Sequence, residues 1–209
     1  GPIRPRNRLT NERWVKDLLH PDEDFLAGKV FEAVTPAVLR LRAQPDKRWS
    51  LSKKDLIPDV MNTTVSFART FGFVTQVLSI PFVPRLFVCP DRQGGLAFAT
   101  TQPPATVCGA ALLSGQNPLD VVFIVAKHLA YYRGEHYIRT IFQTKDELKL
   151  VLAAAMNIAG VEINDPNEAR GNTITAREIL DRGAAELATT TALEPPVQSR
   201  LLFTMGMVY

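Results

Sequence analysis

The chain has 209 residues, 46% hydrophobic and 22% charged, a balance that excludes wholesale disorder and allows one substantial domain plus a smaller appendage. Lys and Arg together number 24 against 21 Asp and Glu, and the net charge of +3 is too small to point to nucleic acid. No apolar run reaches the roughly 18 to 20 residues that span a bilayer and no secretory leader is read at the start, so a cytoplasmic protein without a membrane partner is expected.

Gly1-Pro2 matches what a tag-removing protease leaves behind and stands outside the fold reasoning. Arg4, Arg6, Arg8, Arg13 and Lys16 crowd the first segment, which reads either as a solvated arm or as one that docks on an acidic partner. The spacing of LTNERWVKDLL predicts a short amphipathic helix over 9–19, capped by Thr10, with Trp14 and Leu18 on one face. A second helix is expected from Pro21, with acidic residues in its first turn, and a restart at Thr35-Pro36, because proline suits a first helical position and not an interior. Ser52 and Asp55 suggest another cap. DVMNTTVSFARTFGF then predicts a helix over 59–73 with Val60, Thr64, Phe67 and Phe71 along one side.

The character changes near residue 80, where Pro, Gly, Val and Phe accumulate without helical spacing. Strands are predicted at 84–89, 96–100 and 106–112, the first two joined by the turn PDRQGG. Cys89 and Cys108 lie in these strands and read as reduced, packed thiols; two such residues make neither a disulfide framework nor a zinc knuckle. The Gly94-Gly95 turn lacks the Lys and flanking glycines of a phosphate loop, and Ser114 has no nucleophile-elbow surroundings.

Asn117, Pro118 and Asp120 punctuate a helix start, and the run from Leu119 to Tyr132 is apolar almost all round, which predicts the buried centre of the domain. Gly134 is expected to end it. Thr144 and Glu147 form a capping box for a helix that Gly160 closes. After a polar hinge over 162–172, Thr175 and Glu178 form a second box, and a last helix follows Pro195-Pro196. Its residues Leu201, Leu202, Met205, Val208 and Tyr209 make an apolar face that needs a partner. The expected class is α+β, mostly helical: a small antiparallel sheet of about three strands packed on a central buried helix, plus a C-terminal helical hairpin. The division expected is 3–161 and 162–209.

The chemistry-bearing cluster is KHLAY, inside NPLDVVFIVAKHLAYYRG. Lys127 and Tyr131 share a helix face, with His128 beside them. The order of strand, AFAT segment, strand, NPLD helix start and VAKHLAY helix core, over roughly 55–160, resembles the gluzincin metallopeptidases. In that register Lys127 falls on the first zinc-binding His of HExxH, His128 on the catalytic Glu and Tyr131 on the second zinc-binding His. All three residues oppose the chemistry: Lys127 brings a positive charge to a cation site, His128 supplies no negative charge, and Tyr131 is a poor zinc ligand. The resemblance therefore implies a pseudo-peptidase, with no catalytic residue, no metal ligand and no cofactor.

Two other readings of the cluster stay open. Tyr131, Tyr132 and the Lys127 stem pack against neighbours with their polar tips reaching solvent or partners, or a rebuilt pocket binds a peptide or small ligand through Lys127, His128 and Tyr131. A metal held by His128 with His136 lacks a carboxylate or Cys at ligand spacing. Farther along, NEARGNTITAREILDRGAAEL followed by VQSRLLFTMGMVY, over roughly 164–209, resembles the segment leading into tetratricopeptide repeats in large bacterial proteins, which implies a helical packing element. The function expected is a non-catalytic interaction or scaffold domain whose partner is another protein or further helical repeats. Its candidate contacts are Arg4, Arg6, Arg8, Leu202, Met205 and Tyr209. The alternatives are a metal-dependent hydrolase with other ligands, or weak nucleic-acid binding through the Arg-rich start.

Overall fold

The computed structural model describes residue 5 and residues 7–158. The readings that fall on Arg4, on Arg6 and on the 162–209 hairpin with Leu202, Met205 and Tyr209 lie outside the described residues. In chain order the elements are α1 (Asn11–Arg13), continued by a π-type turn (Trp14–Leu18), α2 (Phe25–Arg42), β1 (Leu56–Ile57), α3 (Ser66–Val77), β2 (Arg85–Cys89), β3 (Leu96–Ala99), β4 (Ala105–Gly109), α4 (Pro118–Ala130), α5 (Gly134–Ile141) and α6 (Lys145–Ile158). This is an α+β, mostly helical architecture, as expected. Two compact units divide the described residues: one takes those up to Glu23 with Ala43–Arg133, the other takes Asp24–Arg42 with the described residues from Gly134. The stretch read as 3–161 contributes to both.

The first unit is built on a sheet of order β1-β2-β4-β3. The expected antiparallel sheet of about three strands is instead mixed and four-stranded: β2 and β4 run parallel, while β1–β2 and β3–β4 are antiparallel. PDRQGG does not close a hairpin. It carries the chain over the end of β4, so that β4 inserts between β2 and β3. The crossing is recorded in the backbone, where Gly109 donates to Gly95 O at 2.8 Å and Ala110 donates to Arg92 O at 2.9 Å. A Cβ at Gly109 would lie 2.6 Å from Gly94 O and 2.8 Å from Arg92 O, so only glycine fits beneath the crossing. Being central, β4 is buried along its whole length, and its side chains alternate between two layers. Ala105 and Val107 join Phe87, Cys89, Ala99 and Leu51 in one core cluster, with Trp49 and Leu56 packed against it. Thr106 and Cys108 face the other way.

The loop beneath the first layer is tied to the sheet by Arg85. Its guanidinium donates to both Asp46 oxygens, at 3.0 and 2.8 Å, and to Thr101 Oγ1 at 2.9 Å. These hydrogen bonds hold the Asp46 carboxyl below the ordinary carboxylate range. The predicted helix over 59–73 begins only at Ser66, because Asp59 Oδ1 accepts from Met61 N and Asn62 N and turns the chain instead. At the start of the chain Thr10 caps as expected, accepting from Arg13 N at 3.2 Å. The π-type turn that follows separates the two residues read as one face: Trp14 is buried beneath the Arg133 guanidinium and Leu18 is exposed.

The second unit is helical. Asp24, rather than Pro21, starts α2 by accepting from Leu26 N and Ala27 N. The expected restart at Thr35-Pro36 does not occur, and one helix runs through Pro36. The lost backbone donor at Pro36 is outweighed by burial of Thr35, Ala37 and Val38, and Thr35 Oγ1 donates to Phe31 O at 2.6 Å. Gly134, read as a stop, instead opens α5 where α2 comes close; a Cβ there would meet Glu32 Cγ at 2.7 Å. Val38, Ile138, Phe142, Val151, Ala154 and Ala155 form the core of this unit. The Thr144–Glu147 capping box of α6 is formed in both directions.

Candidate functional site

The cluster of interest lies on α4, in the first unit. Asn117 Oδ1 accepts from Leu119 N at 2.9 Å, Pro118 takes the first turn and Asp120 suits the positive end of the helix dipole. The helix is not buried all round. Val125, His128 and Leu129 are buried, whereas Leu119 is 77%, Phe123 68% and Val122 37% exposed. The expectation of a wholly buried helix is corrected on a plain ground: the neighbouring strand and α3 cover one side of it, and the other side is as apolar as the first.

KHLAY is divided by this geometry. Lys127 is exposed, His128 is buried at 7% exposure, and Tyr131 is half-buried with its ring edge-on to Phe98 at 5.7 Å. Tyr132, in the turn just beyond the end of α4, is fully buried, and it converges with His128 on β4. Thr106 Oγ1 lies 2.9 Å from His128 Nε2 and 2.7 Å from the Tyr132 hydroxyl. Hydrogen bonding thus runs from Tyr132 through Thr106 to His128 or in the opposite sense, according to which imidazole nitrogen carries the proton. Phe98, from the AFAT segment, stacks on the His128 ring at 3.9 Å and 11°, and Phe82 meets Tyr132 edge-on at 5.8 Å.

Burial pushes the His128 imidazole down to about 3, so it is neutral at physiological pH. A neutral imidazole between an aromatic ring and a threonine hydroxyl can relay a hydrogen bond. To act as a general base it must also reach a substrate proton, and its ring is closed off by Phe98, Thr106 and Tyr132. The arrangement is a satisfied polar network inside an apolar layer.

The sequence reading did not single out Thr106 or Phe98, and it named Tyr132 only as a packing residue, which its burial bears out. The four-residue spacing of His128 and Tyr132 was an available signal for their convergence. A single hydroxyl in the apolar strand ATVCG was the only hint of Thr106.

Apart from this cluster, an open cleft of about 330 Å³ is lined by Ser50, Asp55, Cys89, Asp91 and Arg92. Arg92 donates from its guanidinium to Trp49 O at 2.7 Å and so belongs to the framework. Both cysteines are free and buried, as the packed-thiol reading expects. Burial raises the Cys89 thiol and raises Cys108 to about 12, which makes both poor nucleophiles.

Of the basic start, Arg8 is exposed, and from Leu9 the chain is docked, with Leu9 N donating to Val77 O at 2.8 Å and Arg13 paired to Asp17 at 3.5 Å. Among the described residues no group of His, Cys, Asp and Glu converges to hold a metal ion, and no helix is long and apolar enough to cross a membrane. No family model, no curated protein and no solved structure matches this chain.

Proposed function

We propose that this chain is a protein-interaction module and not a hydrolase, and that its gluzincin-like order of elements is that of an inactive peptidase scaffold. One observation carries the reading. The side chain standing where that register needs a catalytic carboxylate, His128, is turned into the protein and closed by Phe98, Thr106 and Tyr132. The positions aligned with zinc ligands point elsewhere: Lys127 is exposed, and Tyr131 packs its edge on Phe98. A peptidase helix offers all three to one cleft, whereas here the polar cluster is used for packing. The same helix instead presents Leu119, Val122 and Phe123 at the surface. Large apolar side chains grouped on one exposed helix face are the usual mark of a binding surface.

The test is hydrolysis of a fluorogenic peptide library by the full chain, with added Zn2+ and with a chelator. The reading expects no cleavage above buffer in either condition. Cleavage that disappears in the chelator would overturn it and restore the metal-dependent alternative.

A further inference from the structure

We propose that the outer stripe of α4 is a self-association surface, through which two copies of this chain pair helix against helix, antiparallel, with Phe123 near the twofold axis. The inference rests on the interaction reading above and names its partner.

The stripe has the pattern that such a pairing needs. Leu119, Phe123, Ala126 and Ala130 recur at alternating four- and three-residue steps, which is the spacing of a two-helix seam, and Val122 flanks them. None of the four is buried: Leu119 and Phe123 are strongly exposed, and Ala126 and Ala130 are partly so. The large residues stand in the first half of the helix and the alanines in the second. When two such helices run antiparallel, the Leu119 of each copy enters the space left by Ala126 and Ala130 of the other, and the two Phe123 rings meet at the centre. Parallel pairing would set Leu against Leu and Ala against Ala, leaving a gap at one end.

Charge selects the same partner and the same direction. The exposed charges beside the seam are Asp120 and Lys127, two helical turns apart and therefore on the same flank. An antiparallel pair centred between them brings Asp120 of each copy opposite Lys127 of the other, twice over. In a parallel pair this flank would lie on opposite sides of the seam in the two copies, so neither charge would meet its opposite. One helix stripe is smaller than the roughly 1,200–2,000 Å² of standard interfaces, so the pair is expected to be weak, with Kd in the micromolar range or above.

Sedimentation velocity of the full chain, from about 5 µM to about 1 mM at low salt, tests this in the concentration range set by that interface size. The expected result is a monomer–dimer equilibrium that Phe123→Glu weakens by more than about tenfold and that high salt also weakens. Asp120→Lys alone and Lys127→Asp alone each turn two attractions into two repulsions and weaken the dimer roughly tenfold. An equimolar mixture of those two variants regains it, because each supplies the charge that the other lacks. That recovery survives any modest effect of either change on helix stability, which circular dichroism would report. A chain that stays monomeric to about 1 mM overturns the proposal. So does a dimer that ignores the charge variants, which would place its interface on another face. A monomer whose Phe123 region is protected from hydrogen exchange would assign the stripe to another segment of the chain and overturn it as well. Peptide cleavage, by contrast, would sink the interaction reading whatever the oligomeric state.

Discussion

The first half of α4 carries Leu119, Val122 and Phe123 and holds them at the surface, while the second half carries His128 and runs on to Tyr132, and both of these are buried. Ranked by residue type alone, the first half belongs inside and the second belongs partly in water. The difference shows that facing neighbours, not the letters of a helix, decide burial. His128 and Tyr132 are inside because β4 offers Thr106 opposite them, so their polar atoms lose water and gain a partner. Leu119 and Phe123 are outside because the side they occupy has no strand or helix of the first unit over it.

Substitutions that treat the two halves alike would break this comparison, and the largest effect is expected in the buried half. Tyr132→Ala removes a fully buried ring that meets Phe82, Phe98 and His128, and should cost about 3–5 kcal/mol in urea unfolding. Thr106→Val keeps the shape and removes the hydroxyl on which the His128 nitrogen and the Tyr132 hydroxyl converge. It should cost about 1–3 kcal/mol, and an effect near zero would mean that the network stabilises nothing. In the exposed half, Leu119→Gln should shift monomer stability by less than about 0.5 kcal/mol at low protein concentration, despite removing a leucine from an apolar helix. A loss of several kcal/mol there would place that half inside a core.

What could be read from the sequence was local. The caps at Thr10, Asn117 and Thr144–Glu147 depend on residues two or three apart, and all three form as expected. The positions of β2, β3 and the start of β4 were legible from the Pro, Val, Phe and Gly content, but β1, the end of β4 at Gly109 and the strand order were not. A six-residue turn such as PDRQGG reads like a hairpin whether it joins neighbours or steps over a strand, and only the close approach at Gly109 distinguishes them. Pro36 misled for a related reason. Its local preference for a break is worth less than the packing of α2, α5 and α6 around Val38 and Ile138. For the site, resemblance to a peptidase helix drew attention to Lys127 and Tyr131, although helical spacing also pairs His128 with Tyr132. That the strand would present Thr106 to them is a non-local fact, and nothing in the chain near residue 128 encodes it.

The most direct measurement is the titration of His128 itself, followed by NMR with the His128→Gln variant to assign the signal. Its folded value, about 3, lies below its ordinary 6.5, so between those pH values the unfolded chain binds a proton that the folded chain refuses. Stability conferred by the neutral imidazole is therefore present above pH 6.5 and is lost as pH falls toward 3, by at most about 1.4 kcal/mol per pH unit. The account predicts an imidazole that stays neutral from pH 7 to pH 5 while urea stability declines across that range, and a decline that is absent in His128→Gln. A His128 that titrates near 6.5 in the folded protein, with no acid-dependent loss of stability, would contradict it: the ring would then be open to water, and the cluster free to act on something outside.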